Sequence, residues 1–411
     1  MTRLVTEPEL ARILAALPGT PRIVASGNFA APQRLLTIAD AAVAEFRLFM
    51  LNAQPGIPDR PGVGYETAFV GPGMRGHARL RYFPCRLSLV PALLRQRLQP
   101  DVVLLHTARP SGGTVSLGVE VNVLPAAVEA ARARGGIVVA QANAAMPVTY
   151  GDAQLPLDAV DYLLAADEPL TTPVAAAPDG MSAAIGERVA ALIPEAATLQ
   201  LGIGAIPDAA LGALLDRRGL RIWSEMFSDG ALALEKAGCL DHDTPVTASF
   251  CFGSAELYDW VDRNPRVRML RTETTNDPGT IAAQPALFSV NSALQVDLFA
   301  QANASRVGAR THSGFGGQTD FIVGAMHSPG GHAIIALRSW HPRADVSAVV
   351  PLLTGPVTSF QHSCIVTEQG TARIWGRDSA EQAQEILDHA AHPDARDELR
   401  RAGRELGLPL R

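Results

Sequence analysis

The sequence predicts an α/β fold made of two related open α/β domains in tandem. Apolar runs of strand length alternate with helical repeats, glycine turns follow several of the strands, and one order of elements occurs twice. A chain of 411 residues also exceeds one ordinary hydrophobic core. We therefore expect domains over residues 1–180 and 181–411, with the functional site between them.

The first copy of the repeated order lies near the N-terminus. Residues 7–16 have helical periodicity, and residues 22–26 form an apolar run of strand length. A glycine turn at Gly27 then leads into a second helical segment over residues 34–45. This order is helix, strand, glycine turn, helix.

The second copy follows the same order in the other half of the chain. It has a helical segment over residues 185–192, a strand over 198–201, a turn at Gly202 and a helix over 208–215. The turn lies 175 residues after Gly27. The recurrence indicates an internal duplication of one α/β domain.

Further apolar runs complete both predicted sheets. Residues 102–106 fit a buried parallel strand, and a helix over 124–134 leads to a strand over 137–140. In the second half the predicted strands are 246–252, 266–271, 287–290, 333–337, 348–351 and 365–367. The chain ends in two predicted helices, 380–390 and 394–406.

Composition and charge exclude several classes of function. The net charge is −6 without a block of like charges, which argues against a nucleic-acid partner. No run of about 18 apolar residues and no signal peptide are found, so we expect no membrane partner. Widely spaced cysteines support neither a zinc ribbon nor a disulfide framework, and predict reduced thiols in a cytoplasmic protein: Cys85, Cys239, Cys251 and Cys364.

Glu225 is the leading candidate for chemistry. It follows a short extended run, 220–222, and precedes an amphipathic run, 231–236, which predicts a strand, a sharp turn and a helix. Ligands of open α/β sheets collect at the carboxyl ends of strands. The apolar neighbours Trp223 and Phe227 would desolvate the carboxylate, raising its pKa and its nucleophilicity.

Other readings of the acidic and nucleophilic residues stay open. A glutamate chosen at random is most often a solvated surface charge, and Glu368, after the short strand 365–367, is a rival nucleophile. No histidine spacing typical of a metal site and no G-x-S-x-G nucleophile motif is present. We therefore expect no metal.

The turn around Ile203 and Gly204 resembles half of a dinucleotide-binding fingerprint. The third glycine of that fingerprint is replaced by Pro207, which argues against NAD. The glycines more plausibly let a ligand approach the backbone, with a helix N-terminus near Asp208 directed at negative charge. Ile203 and Gly204 are thus candidates for oxyanion and ligand binding.

A second glycine-rich loop spans residues 313–321. Its glycines, Gly314, Gly316 and Gly317, can turn consecutive amides inward, as an oxyanion site requires. The alternative is a flexible surface turn, but the apolar residues that follow the loop anchor one end in a core.

Three polar residues are possible substrate contacts. Gln318 follows the glycine loop, and Asn28 follows the first glycine turn. Arg109 adjoins a glycine-containing loop and has the charge to pair with a carboxylate or phosphate; an exposed salt bridge is the competing interpretation.

The second half of the chain, from about Gly186 to Leu399, resembles the acetyl-CoA hydrolase/transferase family, closest to the branch of family I CoA-transferases that acts on 4-hydroxybutyrate and acetate. The motifs that carry the resemblance are LGIGAIPDA (201–209), SEMFSDG (224–230), LYD (257–259), TNDP (275–278), NSALQVDL (291–298), SGFGGQTDF (313–321), VTEQG (366–370) and AHPD (391–394).

The resemblance implies a CoA-transferase with a covalent glutamate at the position of Glu225. Such an enzyme moves coenzyme A from an acyl-CoA to a small carboxylic acid by ping-pong kinetics, through a glutamyl-CoA thioester. It implies no cofactor beyond coenzyme A as a substrate. A homodimer is the expectation on symmetry grounds.

Two alternatives remain beside this hypothesis. The same glutamate would support acyl-CoA hydrolysis if water reached the intermediate. A chain that kept the fold but lost the acid pocket would instead be a non-catalytic CoA-binding protein.

Overall fold

A computed structural model describes residues 2–173, 179–355, 357 and 361–411. The chain forms two compact units, each made of three segments. Unit 1 comprises residues 1–174, 245–275 and 311–316, and unit 2 comprises residues 175–244, 276–310 and 317–411. The predicted pair of domains at 1–180 and 181–411 thus differs from this division, because two segments of the second half belong to unit 1.

Unit 1 is built on a sheet of eight parallel strands. Its central strand, Val102–Ala108, is buried along its whole length, as its apolar sequence predicts. In spatial order the strands are Arg3–Leu4, Tyr162–Ala165, Ile137–Asn143, Val102–Ala108, Arg22–Ala25, Phe46–Phe49, Val63–Thr67 and Leu80–Tyr82.

Helices and shorter strands complete unit 1. The helices are Glu7–Ala15, Gln33–Ala42, Val90–Gln96, Leu124–Ala133, Ala255–Val261 and Thr272–Thr275. Tyr150–Gly151, Val267–Met269 and Val246–Ala248 form a small parallel sheet. The remaining strands of the unit are Thr114–Ser116, Gln154–Pro156 and Phe250–Cys251.

Unit 2 has a sheet of six strands. In spatial order they are Arg221–Ile222, Thr198–Leu201, Leu287–Ser292, His332–Ala336, Cys364–Thr367 and Gly370–Arg373. The first five are parallel, and only the last pair is antiparallel. The helices of the unit are Gly180–Leu192, Ala205–Gly212, Asp229–Lys236, Pro278–Ala282, Gln318–His327, Ser379–His389 and Arg396–Glu405.

Short strands lie outside the main sheet of unit 2. Trp340–His341 and Val346–Ser347 form an antiparallel hairpin. The others are Met226–Phe227, Gln295–Asp297, Ala302–Asn303, Arg306–Val307, Val349–Val350 and, at the change of unit, Arg310–Thr311.

The predicted α/β class is confirmed, and the repeated order of elements is present in both units. Several boundaries differ by a few residues. The strand expected over 246–252 is two short strands, Val246–Ala248 and Phe250–Cys251, and the helix expected over 34–45 is Gln33–Ala42. The helix expected over 208–215 is Ala205–Gly212. It begins three residues earlier because Gly204, at φ 119°, reverses the chain directly before it. Pro207 lies in its first turn, where a helix tolerates a missing N–H.

Candidate functional site

Glu225 lies in a short connection between two strands of unit 2. Strand Arg221–Ile222 ends three residues before it, and strand Met226–Phe227 begins directly after it. Its neighbours Ser224 and Met226 are buried, whereas Glu225 is between buried and exposed. The backbone around Glu225 is therefore fixed by packing, and its own side chain keeps access to its surroundings.

Two N–H groups donate hydrogen bonds to the Glu225 carboxylate. Nδ2 of Asn276 lies 3.0 Å from Oε2, and the main-chain amide of Gly317 also donates. A Cβ atom built at Gly317 would lie 1.8 Å from Oε2 of Glu225 and 2.3 Å from Nδ2 of Asn276. Any side chain at position 317 would thus displace the carboxylate, so glycine is required there.

The electrostatics of this position favour a carboxyl group that titrates near neutrality. Burial raises the pKa of Glu225 to about 7, against the opposing effect of the Asn276 hydrogen bond. The charge of Asp320 raises it further, and the Gly317 amide lowers it. Gly317 also precedes helix Gln318–His327, whose N-terminus favours negative charge. Glu225 is consequently expected to titrate at a higher pH than an ordinary glutamate.

The other glycines of the predicted loop have a different environment. Gly314 and Gly316 pack against Ala68 and Phe69 within unit 1, and the carbonyl of Gly316 accepts a hydrogen bond from Leu87. Gly316 has φ 56°, which favours glycine. Along this loop the chain passes from unit 1 to unit 2 directly after Gly316.

The turn around Ile203 borders open space. Ile203 is 50% exposed, and a Cβ built at Gly204 would meet no atom within 4 Å. One built at Gly202 would meet only Cγ of Pro207 at 4.0 Å. The space beside this turn is therefore open to a ligand.

The three candidate substrate contacts each have a different hydrogen-bond or ion-pair partner. Nε2 of Gln318 donates to the carbonyl of Ser292 (3.4 Å). Asn28 is buried, and its amide donates to Glu120 at 2.8 Å. Arg109 forms an exposed ion pair with Asp167, which agrees with the competing interpretation of that residue.

The rival carboxylate, Glu368, is held differently. Ser339 donates to it from both its main-chain amide (3.0 Å) and its hydroxyl. Burial acts to raise the pKa of Glu368, but the Ser339 hydrogen bonds outweigh it and hold the pKa below its usual value. The lowered pKa favours the ionised form of Glu368, and both of its oxygens accept hydrogen bonds from Ser339. This favours Glu225 as the reactive carboxylate.

Two contributors to the site are absent from the sequence-based candidates. Asn276 belongs to the motif TNDP, and Asp320 to the motif SGFGGQTDF, yet neither was assigned a site role. The signal for Asn276 is an amide directly before Asp277, which caps helix Pro278–Ala282 and so fixes the position of its neighbour.

Two structural features bear on metals and membranes in the described part of the chain. Within it, no group of three or more His, Cys, Asp or Glu side chains is arranged to hold a metal ion. None of its helices has both the length and the apolar character needed to cross a membrane.

Comparison with known proteins decides the family. Residues 32–175 match the acetyl-CoA hydrolase/transferase N-terminal domain, and residues 253–403 match the acetyl-CoA hydrolase/transferase C-terminal domain. The chain belongs to the acetyl-CoA hydrolase/transferase family. The resemblance seen in the second half is confirmed, and membership of this enzyme family extends to the first half, where no motif was recognised.

Individual relatives of this family match different shares of the chain. The 4-hydroxybutyrate coenzyme A transferase of Clostridium kluyveri is 38% identical over 350 residues, which are 82% of this chain and 80% of that protein. The acetyl-CoA hydrolase of Kluyveromyces lactis is 30% identical over 48% of this chain and 38% of its own length.

Solved structures of similar fold agree with this assignment. RipA from Yersinia pestis has a TM-score of 0.91 at 26% identity, covering 99% of this chain and 98% of that one. A 4-hydroxybutyrate CoA-transferase from Porphyromonas gingivalis has a TM-score of 0.83 at 30% identity and covers 98% of both chains.

Proposed function

We propose that this protein transfers coenzyme A from an acyl-CoA to a small carboxylic acid, with Glu225 as the covalent residue. The main support for the proposal is the Glu225 carboxylate, which accepts a hydrogen bond from the amide of Gly317. The pKa of this carboxyl group is raised to about 7. The C. kluyveri relative, a named CoA transferase, supports the same chemistry.

The reaction begins when a carboxylate oxygen of Glu225 attacks the thioester carbonyl of the acyl-CoA. The C–S bond breaks, and an acyl-glutamyl anhydride and the CoA thiolate result. The thiolate then attacks the glutamyl carbonyl, so that the first acid leaves as its carboxylate and Glu225 carries CoA as a thioester. A second carboxylate enters and reverses both steps, which is ping-pong kinetics.

The donors on the Glu225 carboxylate suit this sequence of steps. When the thiolate adds to the glutamyl carbonyl, one oxygen of Glu225 becomes an oxyanion. Asn276 and the Gly317 amide already donate to this carboxylate. A preorganised donor of this kind contributes about 2.7–4 kcal/mol to transition-state stabilisation.

The raised pKa of Glu225 also fits the chemistry. A thiol has a pKa of about 8.5, so a carboxyl group near 7 is closer in basicity to the thiolate it exchanges with than an ordinary glutamate near 4.3. The acyl-glutamyl and glutamyl-CoA intermediates are then closer in free energy to substrates and products.

The remaining candidate residues receive auxiliary roles in the proposal. The turn at Ile203 and Gly204 borders open space, and its amides are proposed to bind the thioester oxygen of the substrate. Asn28, Gln318 and Arg109 are proposed as contacts of the acid or of CoA. For Arg109 such a role requires exchange of its exposed partner Asp167. We also propose a homodimer, which sedimentation of the purified protein would test.

Trapping of the intermediate tests the proposal directly. The protein is incubated with acetyl-CoA, treated with borohydride and digested, and the modified peptide is identified by mass spectrometry. A glutamyl-CoA thioester is reduced to the alcohol, so Glu225 is expected to carry the change. E225Q is the matched control, because it keeps the shape of the side chain and lacks the nucleophile.

Three results would contradict the proposed nucleophile or the proposed transferase activity. Reduction at Glu368 would move the nucleophile, and no reduction at all would indicate a CoA-binding protein without turnover. Release of free thiol without a new acyl-CoA, in the presence of acetate, propionate or 4-hydroxybutyrate, would identify a hydrolase that uses the same glutamate.

A further inference from the structure

Three neighbouring strands of unit 1 end at the same edge of its sheet. They are Val102–Ala108, Ile137–Asn143 and Tyr162–Ala165, and they run parallel to one another. Ligands of open α/β sheets bind outside the carboxyl ends of the strands. The strand ends of unit 1 are therefore a second place in this chain where a ligand is expected.

A cavity of about 570 Å³ lies at these strand ends. Its volume is within the range typical of small-molecule sites. All of its lining residues belong to unit 1. They are Ala108 and Arg109 after the first strand, residues 144–148 after the second, Pro169, Leu170 and Thr172 after the third, and Ala255, Tyr258, Asp259, Asp262 and Arg263 in and directly after helix Ala255–Val261.

A buried asparagine fixes two of the loops that line the cavity. Oδ1 of Asn143 accepts a hydrogen bond from the amide of Ala145 (2.9 Å), and its Nδ2 donates to the carbonyl of Glu168 (2.7 Å). The amide of Ala144 donates to Asp167 (2.8 Å). These bonds join the loop after the second strand to the loop after the third, and a satisfied buried network of this kind makes the loops rigid.

The helix of the cavity is fixed to the same two loops. The amide of Val148 donates to Oδ1 of Asp262 (2.8 Å), and the amide of Arg263 donates to the carbonyl of Val148 (2.7 Å). The hydroxyl of Tyr258 donates to the carbonyl of Thr171 (2.9 Å). The walls of the cavity are therefore held together by hydrogen bonds within unit 1.

Two opposite charges line the cavity without pairing with each other. Asp259 and Arg263 are four residues apart, a spacing that allows an ion pair on a continuous helix. This helix ends at Val261, and Arg263 pairs with its neighbour Asp262 instead. Asp259 is exposed, and its carboxylate forms no hydrogen bond or ion pair with the residues that the structure describes.

The charges and the apolar wall restrict the chemistry of the ligand. Two arginines and two aspartates line the cavity, so its lining favours neither a plain anion nor a plain cation. The other arginine, Arg109, pairs with Asp167. Apolar side chains complete the lining, among them Met146 and Leu170. A ligand that matches this surface carries an ammonium group for Asp259, a carboxylate for a guanidinium and an apolar body.

We propose that the cavity binds a free α-amino acid with an apolar side chain, its ammonium group on Asp259, its carboxylate on Arg263 and its side chain against Met146 and Leu170. An exposed ion pair such as that of Arg263 with Asp262 contributes little to stability, so the carboxylate of the ligand can replace Asp262. The binding site does not depend on the chemistry proposed for Glu225.

Three related molecules test which charges the cavity recognises. Calorimetry is performed with L-leucine, with 4-methylpentanoate, which lacks the ammonium group, and with 3-methylbutylamine, which lacks the carboxylate. We expect L-leucine to bind about 10-fold or more tightly than either analogue, because each analogue loses one charge-assisted contact.

Substitutions at the two charged positions assign each contact. D259N should weaken binding of L-leucine about 10-fold and leave that of 4-methylpentanoate unchanged. R263A should weaken binding of both of these and leave that of 3-methylbutylamine unchanged. D243N and R401A, which alter exposed charges of unit 2, are the matched controls and should bind all three molecules as the unmodified protein does.

Several outcomes would overturn the inference. They are no detectable binding of L-leucine at millimolar concentration, tighter binding of 4-methylpentanoate than of L-leucine, and an equal loss for both in D259N, which would indicate a general change in the cavity. E225Q should bind L-leucine as the unmodified protein does, whether or not the protein transfers CoA. Failure of the proposed reaction and failure of this site are thus measured separately.

Discussion

Each unit places a glutamate beside asparagine side chains, and the two glutamates have different surroundings. In unit 1, Glu120 is 3% exposed and accepts hydrogen bonds from Asn28 (2.8 Å) and Asn122 (3.3 Å). In unit 2, Glu225 accepts from Asn276 (3.0 Å) and from the Gly317 amide, and is less buried.

The backbone around Glu120 shows what its network does. Asn28, Asn52 and Asn122 all have positive φ, between 41° and 47°, and Asn52 donates to Asn28 at 2.9 Å. Asparagine tolerates positive φ better than most residues, but even for asparagine this region costs more than a negative φ. The buried carboxylate thus fixes three turns of unit 1. The comparison teaches that accessibility, more than residue type, separates a structural carboxylate from a reactive one.

The largest expected effect is the loss of activity on substitution of Glu225 in unit 2. E225Q removes the nucleophile while keeping the hydrogen-bonding shape of the side chain. We expect the rate of CoA transfer to fall about 10⁴-fold or more, as for loss of other covalent nucleophiles. The measurement is kcat for acyl exchange between acetyl-CoA and a second acid. A variant with more than a tenth of the original rate would remove Glu225 from the mechanism.

Next in size is the steric requirement at Gly317. G317A places a methyl group 1.8 Å from Oε2 of Glu225, so the carboxylate must move and the amide contact is lost. We expect kcat to fall about 10²–10³-fold. G180A is the control, because a Cβ at Gly180 meets no atom within 4 Å. Similar kinetics for the two variants would show that the close approach is unimportant.

The structural role of Glu120 in unit 1 is tested by measuring the stability of the folded protein. E120A leaves the buried amides of Asn28 and Asn122 without their acceptor. We expect the free energy of unfolding to fall by about 3 kcal/mol, measured by urea denaturation. E225Q, at the more accessible position, is the matched substitution and should change it by less. If E225Q destabilised the protein as much as E120A, both glutamates would be structural.

The smallest expected effect is a shift of the pH profile. The nucleophile is ionised Glu225, so kcat/KM should rise with pH and level off above its pKa of about 7. Asn276 lowers that pKa by bonding to the ionised form, and N276A therefore moves the acid limb to higher pH. The loss in N276A should be greater at pH 6 than at pH 9. An acid limb at the same pH in both proteins would assign it to another group.

Local sequence patterns predict part of this site. The strand before Glu225 and the helical run after it identify this residue, although the structure adds a second short strand, Met226–Phe227, between Glu225 and the helix. The glycine-rich loop identifies Gly317. Both signals lie within a few neighbouring residues. Asn276 is 51 residues from Glu225, and their contact depends on how helix Pro278–Ala282 packs on helix Gln318–His327. Such a contact is set by tertiary packing, which one sequence does not reveal.

Dependence on tertiary packing also explains why the division of the chain into two units differs from the predicted domains. The alternation of apolar runs predicts both parallel sheets, since the period of a strand is local. The assignment of segments 245–275 and 311–316 to unit 1 depends on long-range pairing, such as that of Val267–Met269 with Tyr150–Gly151. Nothing in the composition of these segments distinguishes them from unit 2.

The three-segment construction of each unit has a consequence for biosynthesis. Unit 1 is complete only when residue 316 has left the ribosome, by which time about half of unit 2 has been translated. Strand Tyr150–Gly151 cannot pair until Val267–Met269 has been translated, more than a hundred residues later. The nascent chain therefore completes unit 1 late in translation and unit 2 only at its end. A gene fragment ending at residue 180 would encode a polypeptide in which strand Tyr150–Gly151 lacks its partner, leaving an unpaired strand edge.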